Sequence, residues 1–444
     1  MKFGTDGVRG VAHKELTTEF AARLARAASR VLGSDGCTAV VIGGDTREST
    51  PSFEHALAAG FTAEGVDAVR LGVVPTPLVA FEAQRRGAMG AMVSASHNPW
   101  QDNGIKLFAP GGTKLSDEVE ARIEAELETL ETLETAESDD SGGDSTAEAE
   151  RALDRYVEHV VGTLGGRSLD GTTVVLDVAN GAAVGVAPDA LRRAGAKVIV
   201  VADAPDGRNI NDGCGAMHPE FVAAAVIDRG ADVGIALDGD ADRLIAVDNR
   251  GRVVDGDHLL AICAMDMRER GLLVADTAVV TVMTNLGFRR AMAEAGINVV
   301  ETGVGDRYVL EALGAGGYAL GGEQSGHVIF TDHATTGDGL LTALSLLDAV
   351  ARDGRSLAEV ADTAMTSLPQ VLVNVRVAER VPDIADRMAA DVAEVELALG
   401  ASGRVLLRAS GTEPLIRVMV EAATEELAQS SADRLADVAR SRFT

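Results

Sequence analysis

The chain is short of aromatic side chains. They make up 3% of its 444 residues and include a single tryptophan, so surfaces that stack bases or sugar rings have almost nothing to be built from. Lysine is scarce too: of the 40 basic residues only Lys2, Lys14, Lys106, Lys114 and Lys197 are lysine, and the rest are arginine. A lysine inside a motif therefore carries more information than usual. Cys37, Cys214 and Cys263 stand alone in separate segments, which fits neither a disulfide framework nor a zinc site and suits reduced thiols. No apolar run approaches the roughly 20 residues of a membrane span, and Thr5, Asp6 and Arg9 interrupt the start of the chain where a secretory signal would be apolar. A cytoplasmic protein is expected. Positive charge is short as well: 68 acidic against 40 basic residues leave a net charge of −28. That field repels nucleic acid and anionic membrane surfaces, so neither is expected as a partner.

What is present is a globular chain. At 46% hydrophobic it is too apolar for disorder, and its length exceeds what one core holds, so about two to four domains are expected. Short β-branched runs alternate with helical patterns, the signature of βαβ units and mostly parallel sheets. Strands are predicted at 38–43, 90–94, 173–177, 197–201, 233–237, 278–283 and 298–302, with helices at 76–86, near 184–194 and at 288–294. Three α/β blocks of about a hundred residues each follow from this rhythm. Residues 136–145, acidic and rich in Ser and Gly, read as an exposed loop before a helix starting near Ala149. After Leu368 the pattern changes to strand 371–377, helix 384–397, strands 403–408 and 415–421, and a terminal helix, which describes a small α+β domain.

Four polar loops follow apolar strands, where open α/β sheets place ligands. The first, Ser94-Ala95-Ser96-His97-Asn98-Pro99, leads into Asp102-Asn103-Gly104-Ile105-Lys106. A hydroxyl beside an imidazole, with a rare lysine ten residues on, could be a covalent site; a turn capped by Ser and Asn and closed by Pro competes with it. The second is Asp238-Gly239-Asp240-Ala241-Asp242-Arg243. Three alternate carboxylates repel one another unless a cation sits among them, and hard oxygen ligands suit Mg²⁺. A calcium EF-hand fails because its sixth position is Arg243 and its twelfth Asn249; a solvated acidic turn is the other alternative. The third, Gly321-Gly322-Glu323-Gln324-Ser325-Gly326-His327, offers a carboxylate and a hydroxyl to sugar hydroxyls, or is a glycine-rich turn with a buried histidine. The nearby Gly314-Ala315-Gly316 follows a helix and leads into a strand, the reverse of a dinucleotide fingerprint. The fourth, Arg408-Ala409-Ser410-Gly411-Thr412-Glu413-Pro414 with Arg417 beyond, sets two guanidinium forks beside hydroxyls and backbone N–H groups. That suits a phosphate dianion, against a salt-bridged hairpin turn. The opening Phe3-Gly4-Thr5-Asp6-Gly7-Val8-Arg9-Gly10 puts Arg9 on a glycine-rich segment.

Taken together and in this order, these segments resemble the α-D-phosphohexomutase superfamily, from about residue 3 to about residue 421. The resemblance implies three consecutive mixed α/β sandwich domains (1–148, 149–254 and 255–368) and a smaller C-terminal α+β domain (369–444) around a central cleft. It implies a phosphoserine at Ser96, with one Mg²⁺ held by Asp238, Asp240, Asp242 and the Ser96 phosphate. Arg9, His97, Lys106 and Arg243 would surround the reacting phosphoryl group, Lys106 moving the proton. Glu323, Ser325 and His327 would bind the sugar, and Arg408, Ser410, Gly411, Thr412 and Arg417 the phosphate that stays. Asp306, in Gly303-Val304-Gly305-Asp306-Arg307, matches another cleft loop. The wording of 322–327 and of 332–339 is similar to the branch that handles glucosamine phosphates. It implies conversion of glucosamine 6-phosphate to glucosamine 1-phosphate through a hexosamine 1,6-bisphosphate, for UDP-N-acetylglucosamine and peptidoglycan precursor synthesis. A mannose or glucose phosphomutase is the alternative within the superfamily; a phosphatase and a non-catalytic sugar-phosphate binder lie outside it. A homodimer is left open. Ala241 departs from the commoner glycine and narrows the loop's backbone options. Because the substrate is an anion, the cleft is expected to be a positive island made by Arg9, Lys106, Arg243, Arg408 and Arg417 with Mg²⁺.

Overall fold

The computed structural model of the chain describes residues 1–4, 6–33, 36–130, 145–410 and 413–443. Two compact units result: Met1–Val282 with Ile297–Asp362, and Met283–Gly296 with Thr363–Thr444. No described helix is long and apolar enough to cross a membrane.

The larger unit holds three sheets. In the first, Ala39–Gly44 lies parallel to both Asp67–Val73 and Met89–Val93, while Asp102–Ala109 runs antiparallel to Met89–Val93 and to Val8–Val11. In the second, Thr173–Asp177 pairs in parallel with Lys197–Val201 and Val233–Leu237, and Leu244–Asp248 returns antiparallel to Val233–Leu237. In the third, Thr277–Thr281 lies parallel to Asn298–Thr302 and Leu320–Gly322, and Val328–Phe330 closes antiparallel. The sheets are therefore mixed rather than mostly parallel. The reason is repeated in each: a loop after a parallel strand turns straight back instead of crossing by a helix. In the second and third sheets these turns carry Asp238–Asp242 and Glu323–Gly326, so both loops sit at the C-terminal ends of strands. Asp102–Lys106, read as loop, belongs to a strand, and Lys106 pairs across from Met92.

Packing around the sheets is mostly aliphatic, with Phe53, Phe61, Phe108 and Tyr156, all fully buried, among the few aromatics. Helix Thr18–Leu32 buries alanines and leucines and is capped by Thr17, whose hydroxyl accepts the Phe20 N–H at 3.1 Å. Helix Thr76–Arg86 begins with proline in its first turn and ends at Gly87 in the left-handed region, where a residue without Cβ is favoured. Near 184–194 a 3₁₀ turn, Ala182–Gly185, precedes a short helix, Ala187–Arg193, because Pro188 fits only a helix's first turn. The helix expected near Ala149 starts at Ser145; residues 136–144 of the acidic stretch lie outside the described residues.

The smaller unit has one antiparallel sheet, Gln370–Arg376, Leu415–Glu421 and Arg404–Ala409, with Leu415–Glu421 central. Helix Glu425–Phe443 supplies Ala428, Ala432, Leu435, Ala436 and Ala439 to its core. The helix expected over 384–397 breaks at Met388 into Ile384–Arg387 and Ala389–Leu399. Helix Leu286–Glu294 belongs here too: its Leu286 N–H donates to buried Glu421, which also receives Arg404, and Asn285 exchanges hydrogen bonds with the Leu368 main chain.

Candidate active site

Two loops meet in the larger unit, and glycine makes the meeting possible. A Cβ on Gly239 would fall 2.5 Å from the Ser96 carbonyl oxygen. The close approach brings Ser96 Oγ to 2.5 Å from Asp238 Oδ2, to which it donates, and to 3.4 Å from His97 Nδ1. Arg243 reaches the same His97 nitrogen at 3.3 Å, so Nδ1 is the acceptor. Burial, with the Arg243 and Arg9 charges beside it, pushes His97 down to about 4; the imidazole is neutral at pH 7.

Asp238, Asp240 and Asp242 are all buried, and one oxygen from each lies within 4.8 Å of the others. Burial and the two neighbouring carboxylates push Asp238 well up from its ordinary value. Such a cluster is costly unless cations compensate. Lys106 supplies part of the compensation: its ammonium lies 2.7 Å from Asp240, 2.9 Å from Asp242 and 2.7 Å from Asp6. Burial opposes the charge on Lys106, but Asp240, Asp242 and Asp6 outweigh it and hold its pKa well above the usual value. Thr76 donates to Asp240 at 2.6 Å. Even so, Asp240 Oδ1 and Asp242 Oδ1 are buried with no hydrogen-bond partner. Three clustered carboxylates, of which Asp240 and Asp242 each keep an oxygen without a hydrogen bond, are the donor set of a hard divalent cation, and the residues fit Mg²⁺.

From this cluster an alternating line of charge runs outward. Asp6 joins Lys106 to Lys114, Lys114 pairs with Asp306, and His327 lies between Asp306 at 3.4 Å and Asp242 at 3.5 Å. Lys114 was the second informative lysine; its scarcity was the signal that could have picked it out. His327, expected to bind sugar, is 2% exposed, and its Nε2 also accepts the Gly337 N–H at 3.1 Å. It braces the sugar loop against the aspartate loop. Leu244 N–H to the Gly326 carbonyl, 3.0 Å, ties the same two loops, and a Cβ on Gly326 would fall 1.9 Å from the Leu244 oxygen. The 332–339 segment packs here as well: Gly339 N–H donates to the Ala241 carbonyl, and Asp338 caps helix Gly339–Asp353.

A cavity of about 440 Å³ opens beside this framework, with Arg9, His97, Arg243, Asp306, Glu323 and His327 in its wall. Glu323 is partly exposed there and accepts the Gly305 N–H at 3.1 Å; Ser325 is exposed at the tip of the turn. The wall carries charge of both signs. Lys2, Arg9 and Arg243 face Asp6, Asp242, Asp306 and Glu323, and Arg9 is already paired with Asp6 at 2.8 Å.

In the smaller unit Arg408 and Arg417 are direct cross-strand partners. Both are half-buried, and burial together with the Arg417 charge lowers the Arg408 pKa. Neither has a carboxylate partner among the described residues. Ser410, 3% exposed, follows Arg408 and accepts the Glu413 N–H; Gly411 and Thr412 lie outside the described residues.

Strand-end loops carrying a serine against an aspartate triad, and two unneutralised arginines across a hairpin, describe a phosphosugar-transferring protein. Four family models of phosphoglucomutase/phosphomannomutase match in order: α/β/α domains I, II and III at residues 1–134, 154–251 and 255–368, and the C-terminal domain at 372–438. The chain belongs to the phosphoglucomutase/phosphomannomutase family. It is 54% identical to the phosphoglucosamine mutase of Thermobifida fusca over 448 aligned residues, covering 100% of this chain and 98% of the relative. With the phosphoglucosamine mutase of Frankia alni it is 55% identical, covering 99% and 98%. Among solved structures, a family protein from Burkholderia thailandensis superposes with a TM-score of 0.79 at 25% identity, covering 98% of this chain and 97% of that one. A putative phosphomannomutase from Thermus thermophilus gives 0.77 at 27%, covering 98% of each.

Proposed function

We propose that the chain interconverts glucosamine 6-phosphate and glucosamine 1-phosphate, as the names of its full-length relatives indicate. The observation that carries the site reading is Ser96 hydrogen-bonded to Asp238 at the edge of a buried aspartate triad with unsatisfied oxygens. In this reading Ser96 carries the phosphoryl group. It passes to the sugar C1 oxygen, the 1,6-bisphosphate turns over, and Ser96 recovers the phosphoryl from C6, releasing glucosamine 1-phosphate.

Asp238, Asp240 and Asp242, with the Ser96 phosphate, would hold Mg²⁺, which when bound neutralises charge on the phosphoryl oxygens. Arg243 and Arg9 line the cavity and are assigned to the other side of that group. Lys106 is assigned as fixed counter-charge: its ammonium would have to leave three carboxylates before it could move a proton. His97, neutral and accepting from Arg243 at Nδ1, is assigned to the cavity wall beside the reacting group. Glu323 and Ser325 are assigned to the sugar hydroxyls or ammonium. Arg408, Ser410, Gly411, Thr412 and Arg417 are assigned to the phosphate not in transfer, which must be held whichever way round the sugar lies. The four-domain division at 148, 254 and 368 is kept as part of the proposal; the family matches support it. So are a cytoplasmic setting, favoured by three free cysteines, and a homodimer, which light scattering would test.

The test is turnover with Mg²⁺ and a trace of hexose bisphosphate on glucosamine, glucose and mannose 6-phosphates. The proposal requires the highest kcat/KM for the glucosamine phosphate; a preference for mannose or glucose phosphate would overturn it.

A further inference from the structure

Ser96 has a left-handed backbone, φ +53°, a conformation that a serine keeps only where its surroundings over-determine it. The surroundings are built on one ion pair behind the loop. Arg47 and Asp45 are each 1% exposed, and Arg47 Nε donates to Asp45 Oδ2 at 2.8 Å. The other four guanidinium N–H groups all go to main-chain carbonyls of the Ser96 loop and its exit. Nη2 donates to Ser96 at 3.0 Å and Asn98 at 2.8 Å, and Nη1 to Asp102 at 3.0 Å and to Pro99. Every donor of the fork is used. From the other side, the Ser96 N–H donates to Ser94 Oγ at 2.9 Å, and Ser94 Oγ donates to Asp45 Oδ2 at 2.5 Å. Ser96 is thus gripped at its N–H and at its carbonyl by one Asp45–Arg47 unit. Asn211 adds a second donor to the carbonyl at 2.9 Å.

Neither Arg47 nor Asp45 lines the cavity walled by His97 and Arg243. Their grip is on backbone that determines where Oγ points, and Oγ is the atom that meets Asp238. Lysine could not replace this arginine: a single ammonium has three donors and no planar fork, so it cannot span carbonyls from Ser96 to Asp102 while facing Asp45.

We propose that Arg47, backed by Asp45 and Ser94, is the positioning residue that holds Ser96 in its left-handed conformation and aims the phosphoryl-bearing oxygen. The inference rests on Ser96 being the phosphoserine. Loss of the grip lets the loop relax toward an ordinary conformation and moves Oγ out of line, while the sugar-binding residues stay where they are.

The test uses the full-length wild type, Arg47→Lys and Ser94→Ala. Intact mass gives the phosphate on Ser96, steady-state kinetics give kcat and KM for glucosamine 6-phosphate, and ³¹P NMR reads the phosphoserine line. Misplacement by about 1 Å costs about a hundredfold in rate, so Arg47→Lys is expected to lose about that in kcat with KM changed by less than about threefold. Ser94→Ala, which removes one bond of the grip, is expected to lose about tenfold. The phosphoserine line should shift or broaden in both variants, which a scaffold role alone would not cause. If Arg47→Lys fails to fold, Ser94→Ala decides the matter. A phosphorylated, active wild type whose variants keep kcat within about twofold and an unmoved line overturns the positioning role alone. An active wild type with no phosphate on Ser96 overturns the phosphoserine reading, and the positioning role with it.

Discussion

The aspartate cluster of the larger unit and the arginine hairpin of the smaller one both handle charge, in opposite ways. Around Asp238, Asp240 and Asp242 almost every charge has a fixed partner: Lys106 meets three carboxylates, Asp6 joins two lysines, and Lys114 also pairs with Asp306. Arg408 and Arg417 instead face each other across two strands with no described carboxylate between them. A site already furnished with counter-charge is suited to holding one geometry through a reaction. A pair of like charges is suited to capturing an anion that comes and goes, since only the anion relieves their repulsion. The protein's net charge of −28 makes the second device necessary, because the substrate is itself negative.

Several substitutions would sharpen or break this contrast. The largest effect is expected from Asp240→Asn, which keeps the shape but removes a triad charge. Turnover should fall by about a thousandfold at limiting Mg²⁺, with the fold intact by circular dichroism. Near-normal activity at limiting Mg²⁺ would mean the triad is not the metal site. Arg417→Ala should act differently, raising KM for the sugar phosphate by about thirtyfold with kcat little changed. Inorganic phosphate should raise the melting temperature of the wild type but not of this variant. If KM stays put, the hairpin is only a turn.

A third expectation concerns Glu54, a buried carboxylate of the larger unit whose Arg70 partner is 3.9 Å away. Burial first, with Asp45 adding and Arg70 opposing, raises it to about 7. A folded-state pKa above the unfolded one means the folded state holds the proton more tightly. Stability from this group is therefore full below about pH 4.5 and is lost as pH rises through about 7, on the order of 2 kcal/mol. Glu54→Gln should flatten denaturation midpoints between pH 5 and pH 8, the scale set by the linkage relation; an equal slope in both proteins would remove Glu54 as the cause. The smallest effect is Ala241→Gly. Ala241 sits at φ +58°, 1% exposed, inside the triad loop. Relieving that conformation should stabilise the protein by about 1 kcal/mol with turnover unchanged. A loss of turnover would show that the methyl helps fix the loop.

Much of this was legible beforehand. Strands Thr173–Asp177, Lys197–Val201, Val233–Leu237 and Asn298–Thr302 are legible to the residue: the buried first and third show as short continuous apolar runs, and the two edge strands by their β-branched valines and isoleucine. The motif loops were legible because glycine and carboxylates at strand ends are rare enough to notice. Strand Asp102–Ala109 was hidden by its Asp-Asn-Gly start, which reads as a turn unless the antiparallel neighbours are known. Arg47 left no pattern at all: its partners are mostly carbonyls, which every residue has. The charge line through Asp6, Lys114 and Asp306 joins positions far apart in the chain, and only the rarity of lysine pointed to it.

The central claim, that the larger unit transfers a phosphoryl group through Ser96 to the sugar rather than to water, is tested most directly by a chase. Protein carrying labelled phosphate on Ser96 is mixed with glucosamine 6-phosphate and Mg²⁺ and quenched within a turnover. The label should leave Ser96 and appear in glucosamine 1,6-bisphosphate and glucosamine 1-phosphate. Label released as inorganic phosphate at a comparable rate, or still on Ser96 while product forms, would contradict it.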